Sequence, residues 1–274
     1  MSESLHHQAE IDFGRARSKA FFREILSLFS RKRNELLSFD EVRHRLKLRC
    51  GVDRGIQTVA IDKIVGSVDR YRDFDREFLP LHEHIKGKWK KIDTAYYRDV
   101  FLPPVKLYKV GDAYFVEDGH HRISVGKERG VEFIDAEVIE CPVSVPVTAD
   151  LQPKDLDIKA EYISFLRWTR LDQIRPEQRI EFSAPQGYKT LWEHIGVHRY
   201  YLGESRGEEV PLEEAVASWY DNLYMPIVRI IREQNILKEF PHRTEADLYL
   251  WIIDHRYYLT ERYGQEVDFG EAAA

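Results

Sequence analysis

Three of the four glycines between residues 105 and 140, Gly111, Gly119 and Gly130, constrain this chain more than any other feature. Residues 105–110 and 113–117 read as strands, and Gly111-Asp112 between them is the glycine-first pair of a tight type II′ hairpin. The second strand runs into Asp118-Gly119-His120-His121-Arg122, and a helical stretch over 123–129 follows, closed by Gly130 at a C′ position. Residues 133–139 read as a further strand, and Pro142 and Pro146 mark the exit from the unit. Hairpin, glycine turn, helix and strand in that order predict a compact α+β domain.

The flanking sequence is mostly helical. Residues 8–37 lack proline and carry Phe13, Ala16, Ala20, Ile25, Leu28 and Phe29 at three-to-four-residue steps. Arg15, Lys19, Arg23 and the run Arg31-Lys32-Arg33 occupy the other side. Ser38-Phe39-Asp40-Glu41 is a capping box and predicts a second helix ending near Leu48. A short strand is expected at 58–61 and a helix at 78–97. Further on, helices are expected at 161–170, 191–202, 212–237 and 245–263, with a short strand at 179–183. The 274 residues exceed the common domain size of ~100–150 residues. The expected parts are N-terminal helices (1–56), a small mixed-sheet domain (57–145) and a mostly α-helical C-terminal domain (146–274).

Composition narrows the function classes. Hydrophobic residues at 43% and aromatics at 12% supply a core, which a mainly disordered chain lacks. No apolar stretch reaches the ~18 residues of a membrane span, and the polar first ten residues have no signal-peptide core. Cys50 and Cys141 cannot build a disulfide scaffold or a four-cysteine zinc site, so reduced thiols and a cytoplasmic location are expected. The net charge of −6 hides a gradient: +4 over residues 1–60, −3 over 61–150 and −7 over 151–274. A nucleic-acid contact would therefore come from the N-terminal third, with Arg31, Lys32 and Arg33 as its candidates. The solvated face of a helix accounts for the same charges.

Residues 118–122 carry the chemistry. A glycine at a strand-to-helix turn lets backbone amides approach a ligand, and the positive end of the helix favours an anion such as phosphate. His120, His121 and Arg122 add donors there, and Arg122 can grip two phosphate oxygens. Asp118 can hold a histidine tautomer, bind Mg²⁺ accompanying a nucleotide, or act as a base; capping the helix is its structural role. His194 and His198, four apart beside Glu193, have zinc-compatible spacing but lack the His-Glu-x-x-His order. They and His255 read as core histidines, and Tyr200, Tyr201, Tyr257 and Tyr258 read as packing residues.

From Val59 to Glu140 the sequence resembles the ParB/sulfiredoxin superfamily. The likeness rests on Ile61-Asp62-Lys63-Ile64, Tyr71-Arg72-Asp73-Phe74-Asp75, Leu102-Pro103-Pro104-Val105, the hairpin, the Gly-x-x-Arg loop and Gly130. In ParB-like proteins the loop usually reads Gly-Glu-Arg-Arg and contacts nucleotide phosphates, which implies that role for Gly119, His120, His121 and Arg122, with Arg72 closing from the opposite loop. In sulfiredoxins the loop is Gly-Cys-His-Arg; His120 stands in place of the redox cysteine, so that chemistry lacks its nucleophile. Free-serine kinases of the superfamily have an Asp-Gly-His-type loop, but their catalytic acid has no clear counterpart here, Asp69 being nearest. The whole chain also resembles bacterial proteins labelled ParB-like or transcriptional regulators. The resemblance implies a nucleoside tri- or diphosphate with Mg²⁺ as ligand, and hydrolysis or phosphoryl transfer with Asp118 and His120 catalytic and Asp118 on the metal. The alternative is a DNA- or RNA-associated regulator without catalysis. A third is an interaction module whose aromatic C-terminal helices form a homo-oligomer or receive a partner.

Overall fold

Strand-forming residues of the first half build a single sheet in the computed structural model, which describes residues 2–29, 34–69 and 72–263. Its strands are β1 (Leu37–Ser38), β2 (Val52–Ala60), β3 (Ile64–Ser67), β4 (Val105–Val110), β5 (Ala113–Asp118) and β6 (Phe133–Glu140). They lie in the order β1-β3-β5-β4-β6-β2. β1, β3 and β5 are parallel neighbours, and β4 pairs antiparallel with β5 and parallel with β6. β2 closes the far edge, antiparallel to β6. The carboxyl ends of β3 and β5 therefore share one rim of the sheet with the start of β4, where Lys106 faces Asp118. Gly111 turns the β4–β5 hairpin at φ +59°, the positive value its position demands.

Four helices belong with this sheet: α1 (Ser2–Phe29), α2 (Phe39–Arg45), α3 (Lys86–Tyr97) and α4 (His120–Glu128). The core holds Phe13, Ala16 and Ala20 of α1, Trp89 of α3, and Ile123 and Val125 of α4. They share it with Val105, Leu107, Val116 and Val138 of the sheet. Phe13 meets Trp89 edge to face at 5.6 Å. On the other face of the sheet Phe39 of α2 stacks on Tyr108 at 4.5 Å. The chain is thus an α+β protein with a mixed sheet.

Several boundaries differ from the sequence expectation for local reasons. The first helix begins at Ser2 and ends at Phe29, and Leu37, expected inside it, is buried as part of β1 beside β3. The capping box is real: Ser38 caps α2 and its hydroxyl accepts from the Glu41 amide at 3.4 Å. The helix expected from residue 78 starts at Lys86. Upstream, Asp75 Oδ1 accepts from the amides of Glu77 (2.9 Å) and Leu79 (2.8 Å), and Phe78 adopts φ +60°, which holds a turn there. Residues 179–183 form no strand; Gln178 takes the Ile180 amide at 3.2 Å instead.

The thiols expected to be reduced are joined: Cys50 and Cys141 form a disulfide. Antiparallel pairing of β2 with β6 brings the two positions together across 91 residues of sequence, and Gly51 donates to the Glu140 carbonyl beside them.

The chain divides into two compact units, Met1–Leu156 and Asp157–Ala274, so α1 and α2 fall in the same unit as the sheet. The division lies inside α5 (Pro153–Thr169), which is followed by α6 (Leu171–Ile174), α7 (Gly187–Arg206), α8 (Leu212–Trp219), α9 (Met225–Glu233) and α10 (Glu245–Tyr263). The helix expected over 212–237 is broken by one wide i→i+5 turn at Tyr220–Tyr224. Pro226, in the first turn of α9, has no N–H to give the preceding turn, and the backbone widens there. Trp219, Tyr224 and Tyr249 fill the helical core, with Trp219 Nε1 donating to the Tyr249 hydroxyl at 3.1 Å. Among the described residues, no helix is long and apolar enough to cross a membrane.

Candidate functional site

Gly119 decides the shape of the predicted loop. It caps α4 at φ +107°, and a Cβ built on it would lie 2.4 Å from Val105 Cγ1 and 2.8 Å from Val105 Cβ. Backbone conformation and space both exclude a side chain there. The turn starts α4 at the carboxyl end of β5, beside that of β3. Crevices outside the carboxyl ends of parallel strands are common ligand sites in open sheets, and helix N-termini favour anions.

Side chains anchor the helix from below. His120, the first residue of α4, is 5% exposed, and its Nε2 lies 2.7 Å from Oγ of the fully buried Ser67 at the end of β3. Phe74 lies parallel to the His120 ring at 6.2 Å and meets His121 edge-on at 5.6 Å. One turn further, Ser124 Oγ accepts from Trp89 Nε1 at 2.8 Å in the core. The start of α4 is therefore fixed by two buried polar contacts as well as by apolar packing.

Arg122 serves the loop itself. Its Nη1 donates to the Pro103 and Pro104 carbonyls, the latter at 3.0 Å, and its Nη2 donates to Asp118 Oδ2 at 2.5 Å. The guanidinium ties the entry to β4 to the end of β5. Asp118 remains 67% exposed at the mouth and Arg122 11%. Arg72 and Asp69 lie exposed in the segment between β3 and Phe74. The structure thus brings Gly119, His120, His121, Arg122 and Asp118 together, and places Arg72 on the neighbouring loop.

For a magnesium ion the donor set at the mouth is a single hard carboxylate, Asp118. Such a set fits a metal carried in by phosphate oxygens, since Mg²⁺ in nucleotide sites is typically held by one or two carboxylates plus phosphates and waters. Among the described residues no group of three or more His, Cys, Asp or Glu side chains is placed to hold a metal.

Of the remaining candidates, His194 and His198 resolve into packing. His198 Nε2 pairs with Ser218 Oγ at 3.0 Å, and His194 meets the Tyr249 ring at 5.8 Å; burial pushes both imidazole pKa values down. His255 stacks on Trp251 at 4.9 Å, but that tryptophan is exposed, as are Tyr200 and Tyr201, contrary to the packing expected for the two tyrosines. The side chains of Tyr257 and Tyr258 lie outside the described residues, as do Arg31, Lys32 and Arg33. The basic residues of α1 that are described are engaged: Lys19 with Glu128 at 2.8 Å, Arg23 with Glu77 and the buried Asp75, and Arg15 with Asp12.

Sequence reasoning missed Ser67, Ser124 and the proline carbonyls. Ser67 and His120 are 53 residues apart, and only the parallel pairing of β3 with β5 joins them. The Leu102-Pro103-Pro104 segment was a usable signal for the clamp, because a proline pair fixes an extended backbone and displays its carbonyls.

No family model and no curated protein matches the chain. Compared with solved structures, it is similar to the crystal structure of sulfiredoxin from Arabidopsis thaliana, at 18% identity over 32% of this chain and 86% of that one, with a TM-score of 0.25. A likeness of that extent assigns no chemistry to the loop.

Proposed function

We propose that this chain binds a nucleoside tri- or diphosphate, with Mg²⁺, at the β5–α4 turn. The observation that carries the reading is Gly119 in its left-handed N-cap, which starts α4 directly at the carboxyl end of β5, beside that of β3. In this reading the amides of the first turn hold the phosphate chain, and Arg122 exchanges the Asp118 carboxylate for a phosphate oxygen. His121 and Arg72 add donors from either side, in keeping with the ParB-like pattern of the sequence. Asp118, once released, faces the Mg²⁺, which supplies charge neutralisation to the phosphates. His120, held from below, is the group that can exchange a proton with an attacking oxygen during hydrolysis or transfer. A regulator acting on nucleic acid through α1 has no support from the described residues, whose basic side chains there are ion-paired.

The test is a thermal-shift and calorimetry panel of ATP, ADP, CTP and GTP, each with and without Mg²⁺, followed by a phosphate-release assay on any binder. A ligand specific to the folded state adds ~2.7 kcal/mol at a hundredfold excess over its dissociation constant. The expected result is a Mg²⁺-dependent shift that Arg72→Ala weakens. No shift with any nucleotide overturns the reading.

A further inference from the structure

We propose that α1 is a dimerisation helix: its outer face pairs antiparallel with the same face of a second copy of this chain, about a two-fold axis at Ser18. The inference does not depend on the nucleotide reading above.

A helix that packs on one side only carries a single apolar stripe. α1 carries two. Ala9, Phe13, Ala16 and Ala20 are buried against the rest of the chain. At 3.6 residues per turn, Ile11, Gly14, Ser18, Phe22 and Ile25 fall on the opposite side, within about 50° of the line pointing away from the core. Phe22 is 65% exposed there, Ile11 44% and Ile25 38%, and Phe21 (59%) and Leu26 (65%) border them. With an aromatic side chain burying ~150–250 Å² when covered, the exposed parts of these five come to roughly 500–600 Å² per copy. Two such patches face to face reach about 1,000 Å², the size at which specific interfaces begin.

Charge and shape both favour a second copy as the occupant. Beside the stripe, Lys19 pairs with Glu128 at 2.8 Å, Arg23 with Glu77 at 3.4 Å, and Glu10 with Lys86 and Lys90, all within the copy. These flanks therefore favour neither a polyanion nor a polycation. The stripe itself is small at one end and large at the other. Nothing lies within 4 Å of the missing Cβ of Gly14, whereas Phe22 and Ile25 project one to three turns further on. Parallel pairing would set Phe22 against Phe22 and leave a notch at Gly14. Antiparallel pairing centred on Ser18 sets Phe22 of one copy over Gly14 of the other and Ile25 against Ile11, each contact made twice by symmetry. Ser18 can sit at the centre because its hydroxyl already donates to the Gly14 carbonyl of its own helix at 3.0 Å.

The test is sedimentation velocity of the full chain at ~100 μM and on dilution, starting above the micromolar end of such interfaces. Phe22→Lys, Gly14→Glu and an equimolar mixture of the two are run alongside the wild type. Both positions are exposed, and near-UV circular dichroism checks that each variant keeps its fold. Ile25→Lys with Ile11→Glu is a second reciprocal pair and serves if either variant does not fold. The expected result is a wild-type dimer, at least tenfold weaker association of each variant alone, and recovery in the mixture. There the introduced carboxylate and ammonium face each other while the second contact stays as in the wild type. A wild-type monomer at the highest concentration overturns the proposal, as does a dimer that both variants keep. Variants that dissociate and do not recover on mixing overturn it too, because only antiparallel pairing sets position 14 against position 22.

Discussion

The chain builds a similar polar pair in each of its two units. In the first, Ser67 meets Nε2 of His120 at 2.7 Å; in the second, Ser218 meets Nε2 of His198 at 3.0 Å. Each histidine has a second histidine near it in sequence, His121 and His194. What differs is position along the helix. His120 opens α4 behind a left-handed glycine, where backbone amides and the helix dipole face outward. His198 lies in the interior of α7, where every backbone group has an intrahelical partner and the side chain reaches Ser218 of α8. The same two side chains thus sit at a helix start in one unit and inside a helix in the other, and only the first position carries the proposed anion site.

The largest effect that separates the units is covalent. Cys50–Cys141 closes a loop of 91 residues wholly inside the first unit. Chain-entropy arguments assign a loop of that length about 4.5 kcal/mol. Dithiothreitol should therefore accelerate hydrogen exchange in peptides of β2 and β6 and leave peptides of α7 to α9 unchanged. Equal acceleration in both units would mean that they unfold as one and that the comparison cannot be made unit by unit.

Glycine gives the next contrast, because the two histidine pairs flank glycines of opposite kind. Gly119→Ala meets a positive φ and the buried Val105 side chain, and should cost about 3 kcal/mol from strain and overpacking together. Gly196, between His194 and His198, has nothing within 4 Å of its missing Cβ. In a helix interior Gly196→Ala should stabilise by ~0.5–1 kcal/mol. Urea unfolding of both variants checks the signs. A neutral Gly119→Ala would show that this turn does not require glycine.

These features were unequally legible. The hairpin at Gly111, the turn at Gly119, the stop at Gly130 and the cap at Ser38 could be read directly, because each is a local steric demand within about four residues. Leu37 was not: helical spacing continued into a segment that parallel pairing with β3 turned into a strand. The disulfide and the Ser67–His120 contact join residues 91 and 53 apart, and no local pattern encodes such pairs. At the site the sequence named the residues of the loop but could not show that Arg122 already holds Asp118 and two proline carbonyls. With that engagement Arg122→Ala should lower stability as well as any phosphate affinity.

Removing each serine sharpens the comparison further. Ser67→Ala leaves a polar nitrogen facing a fully buried site and should cost ~1–3 kcal/mol. Ser218 is only half-buried, where water can replace the lost partner, and Ser218→Ala should cost ~1 kcal/mol or less. Chemical denaturation of both variants measures the difference. Equal losses would show that the two pairs are structurally equivalent, leaving the helix terminus as the only distinction between them.

The smallest expected effect is a pH slope confined to the helical unit. Burial lowers the pKa of His194 and His198 below the ordinary value of 6.5. Below pH 6.5 the unfolded chain therefore takes up protons that these folded imidazoles refuse, and stability falls as pH drops toward their folded values. Above pH 6.5 both states are neutral and the contribution is complete. Hydrogen exchange in peptides of α7, compared at pH 7.5 and 5.5 after correction for the intrinsic rate, should show this loss. His194→Gln combined with His198→Gln should flatten it. A slope that survives the double variant belongs to other groups. The opposite slope, with stability rising on acidification, would place a charged imidazole among these helices and remove the ground for reading the pair as packing.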